Sequence, residues 1–184
     1  AEGNFGGGAT AAFVSYASQD AVVANAIVVA CESAGLRCWI APRDVAPGAF
    51  YADEIVGAIN ASGVLVLVLT ANACASAHVL REVERASSKR HPVVTLRVEA
   101  VPLPAGLEYF LSASHWLDAT ASGVEAALPN LVAAVQRLMS PASANVDSMS
   151  QLSPAAGRRK TRRSNRLLIV AGTVLLLGLA LIAA

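Results

Sequence analysis

The sequence predicts an α/β domain built on a doubly wound parallel sheet, followed by a linker and an apolar C-terminal segment. Three observations carry this prediction. Five short apolar runs alternate with stretches whose apolar residues recur at three- and four-residue spacing, the pattern of strands alternating with helices. One of the runs, residues 64–70 (VLVLVLT), is an unbroken series of β-branched residues and Leu, as in a strand covered on both faces. The chain of 184 residues is 55% hydrophobic but only 5% aromatic, which excludes disorder and supplies a core of Ala, Val and Leu.

The elements follow in order. Residues 1–10 (AEGNFGGGAT) read as a flexible leader, without the charged and long apolar regions of a signal peptide. The domain is expected over 11–139. Its first strand is 11–16 (AAFVSY), and a Ser18-capped helix follows from about residue 20 to 34, stopped by Gly35. Val23, Ala26, Ile27, Ala30 and Cys31 form its expected inward stripe. The second strand is 36–41 (LRCWIA), followed by turn residues 42–48 and a helix over 50–60. The 64–70 run is the expected centre of the sheet. A helix over 76–88 and a strand at 92–98 make the fourth unit. The fifth is a short proline-broken connection, a strand at 114–117 and a helix near 122–139. Parallel strands joined this way need right-handed crossovers, and ligands collect at the carboxyl ends of such strands. The loops after Tyr16, Ile40, Thr70 and Val98 are therefore the candidate site.

Charge divides the chain. Residues 1–157 hold eight Lys+Arg against thirteen acids, a net of −5, whereas residues 158–184 hold six basic residues and no acid. Residues 140–166 read as a linker, rich in Ser, Ala and Pro and then basic at Arg158, Arg159, Lys160, Arg162, Arg163 and Arg166. Residues 167–184 carry no charge, and as a helix they reach roughly 27 Å, enough to cross a hydrocarbon core of about 30 Å only barely. The segment ends without a polar flank, which reads as a chain cut inside or just after a transmembrane helix; a tail anchor is the alternative. The positive-inside rule places the domain on the cytoplasmic side of the membrane; a single pass of the cell's inner membrane is the expected location. An acidic domain argues against nucleic-acid binding, and the basic cluster reads as a membrane flank rather than a nucleic-acid patch because the apolar run follows at once.

Cys31, Cys38 and Cys74 lack metal-ligand spacing and read as buried thiols. His91 and His115 have no Cys or carboxylate companion at ligand spacing, so no metal is expected.

The segments FVSYASQD, CWIAPRDVAPG and LREVERA, in this order and in register with the strand pattern, resemble the bacterial branch of the TIR (Toll/interleukin-1 receptor) domain family over roughly residues 11–138. The resemblance implies a flavodoxin-like sheet of five parallel strands in the order 2-1-3-4-5, with helices on both faces. It also implies self-association and, in many members, cleavage of NAD+ between nicotinamide and ribose. Other members only bind one another.

In the enzymatic members the catalytic glutamate lies on the third helix, and the matching residue is Glu82. The chemistry is consistent with one carboxylate. Loss of nicotinamide leaves an oxocarbenium-like ribose, whose charge a carboxylate near the anomeric carbon stabilises. Against an inward stripe of Val79, Val83 and Ala86, Glu82 lies about 60° off centre, a boundary position from which it reaches a cleft. A surface pairing with Arg81 or Arg85 is the alternative, and Glu84 is the internal control. The enzymes often carry a tryptophan four residues before the glutamate, where this chain has His78; His78 shares the face of Glu82 and can stack or hydrogen-bond.

The resemblance makes APRDVAPG the family's BB loop, fixed by Pro42, Pro47 and Gly48. Arg43 is a cation suited to a pyrophosphate with Asp44 to orient it, or the two form a loop salt bridge or a protein contact. Trp39 matches an aromatic position facing the nucleotide, or is core. Ser18 is a helix cap, a phosphate-side group at a helix N-terminus, or both. The expected function is a membrane-tethered NAD+ glycohydrolase, with NAD+ as substrate and no cofactor, active on assembly into an oligomer or filament. A non-enzymatic TIR–TIR recruitment module is the alternative class.

Overall fold

A computed structural model describes residues 10–140. Residues 1–9 of the expected 1–10 leader, most of the linker and the apolar segment 167–184 lie outside the described residues, and among the described residues no helix is long and apolar enough to cross a membrane.

The strands β1 (Ala12–Ser15), β2 (Cys38–Trp39), β3 (Val64–Leu69), β4 (Val93–Arg97) and β5 (His115–Asp118) form one parallel sheet in the order β2-β1-β3-β4-β5. Helices α1 (Ala21–Ser33), α2 (Tyr51–Ala61), α3 (Ala71–Ala75), α4 (Ala77–Ser88), α5 (Ala105–Leu111) and α6 (Val124–Met139) cover it. The central run explains the layering. All six residues of β3 are buried, and the two-residue period of a strand sends Val64, Val66 and Val68 to one face and Leu65, Leu67 and Leu69 to the other. The valine face packs on Ile27, Val28 and Cys31 of α1 and Leu131 and Val135 of α6. The leucine face packs on Ile59 of α2, Val79 and Val83 of α4, and Leu107 and Leu111 of α5.

The helix signals hold at α4 and at the end of α1. Ser76 caps α4, its Oγ accepting from the Val79 N–H at 3.3 Å. Gly35, at φ +80°, closes α1 with Leu36 N–H bonded to the Cys31 carbonyl and Gly35 N–H to that of Glu32, both at 3.0 Å.

Four local expectations are corrected. Ser18 caps no helix: it opens a 3₁₀ turn over Ser18–Asp20, and its hydroxyl bonds Gln19 at 3.1 Å instead of a backbone N–H. The buried stripe of α1 is Ala24, Ile27, Val28 and Cys31, shifted from the expected one because that helix is apolar on nearly every side and its period is poorly marked. The second strand shrinks to the two residues Cys38–Trp39, because the next residue, Ile40, donates its N–H to Asp44 Oδ2 at 2.8 Å and its carbonyl accepts from the Asp44 N–H at 3.0 Å, instead of either pairing with a strand. The connections at 71–75 and 105–111 are helical; Pro104 sets the start of α5 and does not break it.

Thr70 joins the first turn to the third. Its buried Oγ1 donates to Asp20 Oδ2 at 2.6 Å and accepts from Ala73 N–H at 3.0 Å, while Asn72 donates to Asp20 Oδ1 at 3.0 Å. Thr70→Val keeps the shape but strands the buried Ala73 N–H, so a loss of about 2 kcal/mol in urea unfolding is expected. Unchanged unfolding would show that this tie does not hold the two turns together.

Candidate active site at the carboxyl edge of the sheet

Beyond the carboxyl ends of β1 to β3 lies an open cavity of about 500 Å³. Tyr16, Ser18 and Gln19 after β1, Ala41 and Pro42 after β2, Tyr51 and Ile55 of α2, and Asn72, Ser76, His78 and Glu82 of the segment after β3 line it, over a floor that includes Phe13. Its position is the one expected for a doubly wound sheet.

Glu82 is the central carboxylate. The inward residues Val79, Val83 and Ala86 anchor α4 against the leucine face, which leaves Glu82 partly buried at the edge of that contact. Ser15 meets it there. On β1, Ala12 and Val14 turn to the valine face, so Phe13 and Ser15 turn to the side of α4. The Ser15 hydroxyl donates to Glu82 Oε2 at 2.6 Å across 67 residues of chain. Burial pushes the Glu82 carboxyl up to about 7, and the Ser15 hydrogen bond offsets part of that rise. Glu84, by contrast, is exposed.

Tyr16 completes the wall. Its hydroxyl donates to the Ala41 carbonyl at 2.5 Å, and burial first, then the charges of Tyr51 and Glu82, raise its pKa. Trp39 stands behind the floor, its ring stacked on Phe13 at 5.0 Å and 12°. It supports the cavity through Phe13 instead of lining it.

Of the residues singled out from the sequence, the structure brings together Glu82, His78 and Ser18. It does not bring Arg43, Asp44 or Gly48 to the same cavity. Arg43 and Asp44 line a separate cavity of about 250 Å³ with Glu32 and Cys38. The Arg43 guanidinium grips both Glu32 oxygens at 2.9 and 3.1 Å, both Asp44 oxygens at 2.8 and 3.0 Å, and the Cys38 carbonyl at 2.9 Å. Asp44 also accepts from Ile40 N–H at 2.8 Å, so this pair folds the loop onto the end of α1. Gly48 is exposed at φ +82°, a left-handed backbone that glycine adopts without strain. Among the described residues no group of three or more His, Cys, Asp or Glu is placed to hold a metal.

Sequence reasoning passed over Ser15, Tyr16, Gln19, Tyr51 and Asn72. One signal was available for Ser15: a hydroxyl on the inward face of an apolar strand needs a buried partner. Nothing local named that partner.

The family model described as TIR domain matches residues 12–132. Comparison with curated proteins gives no match. Among solved structures, the chain is similar to the TIR domain of the Toll-related receptor TRR-2 from Hydra magnipapillata, at 24% identity and a TM-score of 0.59, over 69% of this chain and 98% of that one. It is also similar to a metazoan TIR-STING receptor from C. gigas, at 26% identity and a TM-score of 0.53; the match covers 72% of this chain but only 41% of that one. A third similar structure is the TIR domain heterodimer of RPS4 and RRS1, at 17% identity and a TM-score of 0.51, over 69% and 96% of the chains.

Proposed function

From the premise that this chain belongs to the TIR domain family, we propose that it cleaves NAD+ to nicotinamide and ADP-ribose or a variant of it, with Glu82 as the catalytic residue. The observation that carries this reading is a partly buried carboxylate, held by a buried hydroxyl, in a cavity at the carboxyl edge of the sheet. In the reaction the bond between the ribose anomeric carbon and the nicotinamide nitrogen breaks, nicotinamide leaves with the bonding pair, and water adds to the ribosyl cation with loss of a proton. Ionised Glu82 stabilises that cation where water is partly excluded. The aromatic faces of Tyr16 and Tyr51 suit the flat, cationic nicotinamide ring, and Ser18, Gln19, Asn72 and His78 offer polar contacts to the rest of the substrate. Arg43 and Asp44 enter as the brace of the loop that follows β2, a surface for a neighbouring copy. Residues 158–166 and 167–184 act in this reading as a basic flank and a membrane tether that holds the domain on the cytoplasmic face of the inner membrane and concentrates copies for self-association.

The second reading, a non-enzymatic interaction module, is favoured by Phe50, a large apolar residue 83% exposed beside the loop that Arg43 braces. Nicotinamide release from NAD+ by the full chain, dilute and then clustered by a divalent antibody to an N-terminal epitope, separates the two. Release that rises on clustering and vanishes below about pH 6, as Glu82 protonates, is the expected result. Folded, clustered protein that releases none leaves only the interaction module.

A further inference from the structure

Ser15 is fully buried at the end of β1, in register with Leu67 of β3, and it does not line the cavity. A hydroxyl in that position costs stability unless it is bonded, and its side-chain partner is Glu82 Oε2 at 2.6 Å. The other carboxylate oxygen, Oε1, has no partner among the described residues, yet it is not a buried orphan, so it is accessible, on a residue that lines the cavity. The two oxygens are thereby made different. One is fixed from below and the other is presented to whatever the cavity holds.

We propose that Ser15 is a positioning residue for Glu82: by holding Oε2 it fixes the side-chain rotamer that turns Oε1 toward the anomeric carbon of the bound substrate, and it stabilises the ionised form. This rests on the reading of Glu82 as the catalytic residue. A carboxylate at the end of three rotatable bonds otherwise samples several directions, and a single charge-assisted bond at this length confines it. The titratable groups sharing the cavity are Tyr16 at the end of β1, Tyr51 on α2 and His78 on α4. The facing positions of β3 (Leu65, Leu67, Leu69), α3 (Ala73) and α5 (Leu107, Leu111) are apolar. Ser15 is therefore the neutral donor that offsets the burial of this carboxylate.

The test uses the full chain with ¹³C-labelled glutamate, the Glu82 signal being assigned by its loss in Glu82→Gln. Ser15→Ala is expected to move the Glu82 titration midpoint, and with it the acid limb of the nicotinamide-release profile, upward by about one pH unit. At pH 7 kcat falls roughly tenfold while KM changes less than about twofold, because Ser15 touches Glu82 and not the substrate. Ser15→Thr returns the hydroxyl and restores both readouts. Should threonine prove too large for the site, Ser15→Cys, which matches serine in size but is a weak donor, behaves as the alanine variant does. An unchanged Glu82 midpoint in folded Ser15→Ala overturns the proposal, as do alanine and threonine variants equally slowed at a wild-type midpoint. A midpoint that moves in a protein whose wild type releases no nicotinamide overturns the enzymatic reading alone and leaves the hold of Ser15 on Glu82 standing.

Discussion

Glu82→Gln is expected to slow nicotinamide release by 10²–10³-fold, roughly 3–4 kcal/mol of transition-state stabilisation, while Glu84→Gln leaves it unchanged. The same substitution acts on stability with the opposite sign. The native carboxyl of Glu82 sits near 7, above its ordinary value of 4.5, because burial disfavours the charge. The folded state therefore binds the extra proton between those values. The stability this contributes is fully present below about 4.5 and is lost as the pH rises through 7. A neutral amide that keeps the Ser15 contact escapes that loss, so Glu82→Gln is expected to be more stable than the wild type by about 2–3 kcal/mol at pH 8 and nearly equal to it at pH 4. Nicotinamide release and urea unfolding at the two pH values measure both effects. Full activity in folded Glu82→Gln sinks the catalytic assignment, and equal stability at pH 8 sinks the claim that the carboxylate is held at a cost to the fold.

Phe13→Ala is expected to cost about 3–5 kcal/mol, or roughly 10–20 °C in Tm. Phe13 is 2% exposed, fills the leucine-side core and stacks on Trp39, so truncation opens a cavity and removes a ring pair worth about 0.5–1.5 kcal/mol. It also removes part of the floor under the cavity that Glu82 lines. Phe13→Leu keeps most of the volume and is expected to lose under about 2 kcal/mol. Calorimetry orders the three proteins, and Trp39 emission moves to the red in the alanine variant as water reaches the exposed ring. An alanine variant as stable as the leucine one would show that the Phe13–Trp39 stack does not support the sheet edge.

Much of this architecture is written locally. The VLVLVL run announces a strand covered on both sides, Ser76 and Gly35 mark a helix start and a helix end, and Val79, Val83 and Ala86 set the inward face of the helix that carries Glu82. Weak local signals failed where they had a tertiary competitor. Ser18 has a capping side chain, yet the chain there is steered by Asp20, which Thr70 and Asn72 hold from 50 and 52 residues away. Arg43 has a neighbour in Asp44 that the sequence displays, but Glu32, eleven residues back, fixes the direction of its guanidinium.

By itself the sequence determined the class of each layer and the helical face on which Glu82 rides, because side-chain period is a property of consecutive residues. Only the tertiary structure decided that Ser15 lies beneath that carboxylate, that Tyr16 and Tyr51 wall the cavity, and that Arg43 is spent on the loop. Period tells which side a residue faces but not which residue it meets across the layers. Burial, the force that moves the Glu82 carboxyl to about 7, exists only once those layers have packed.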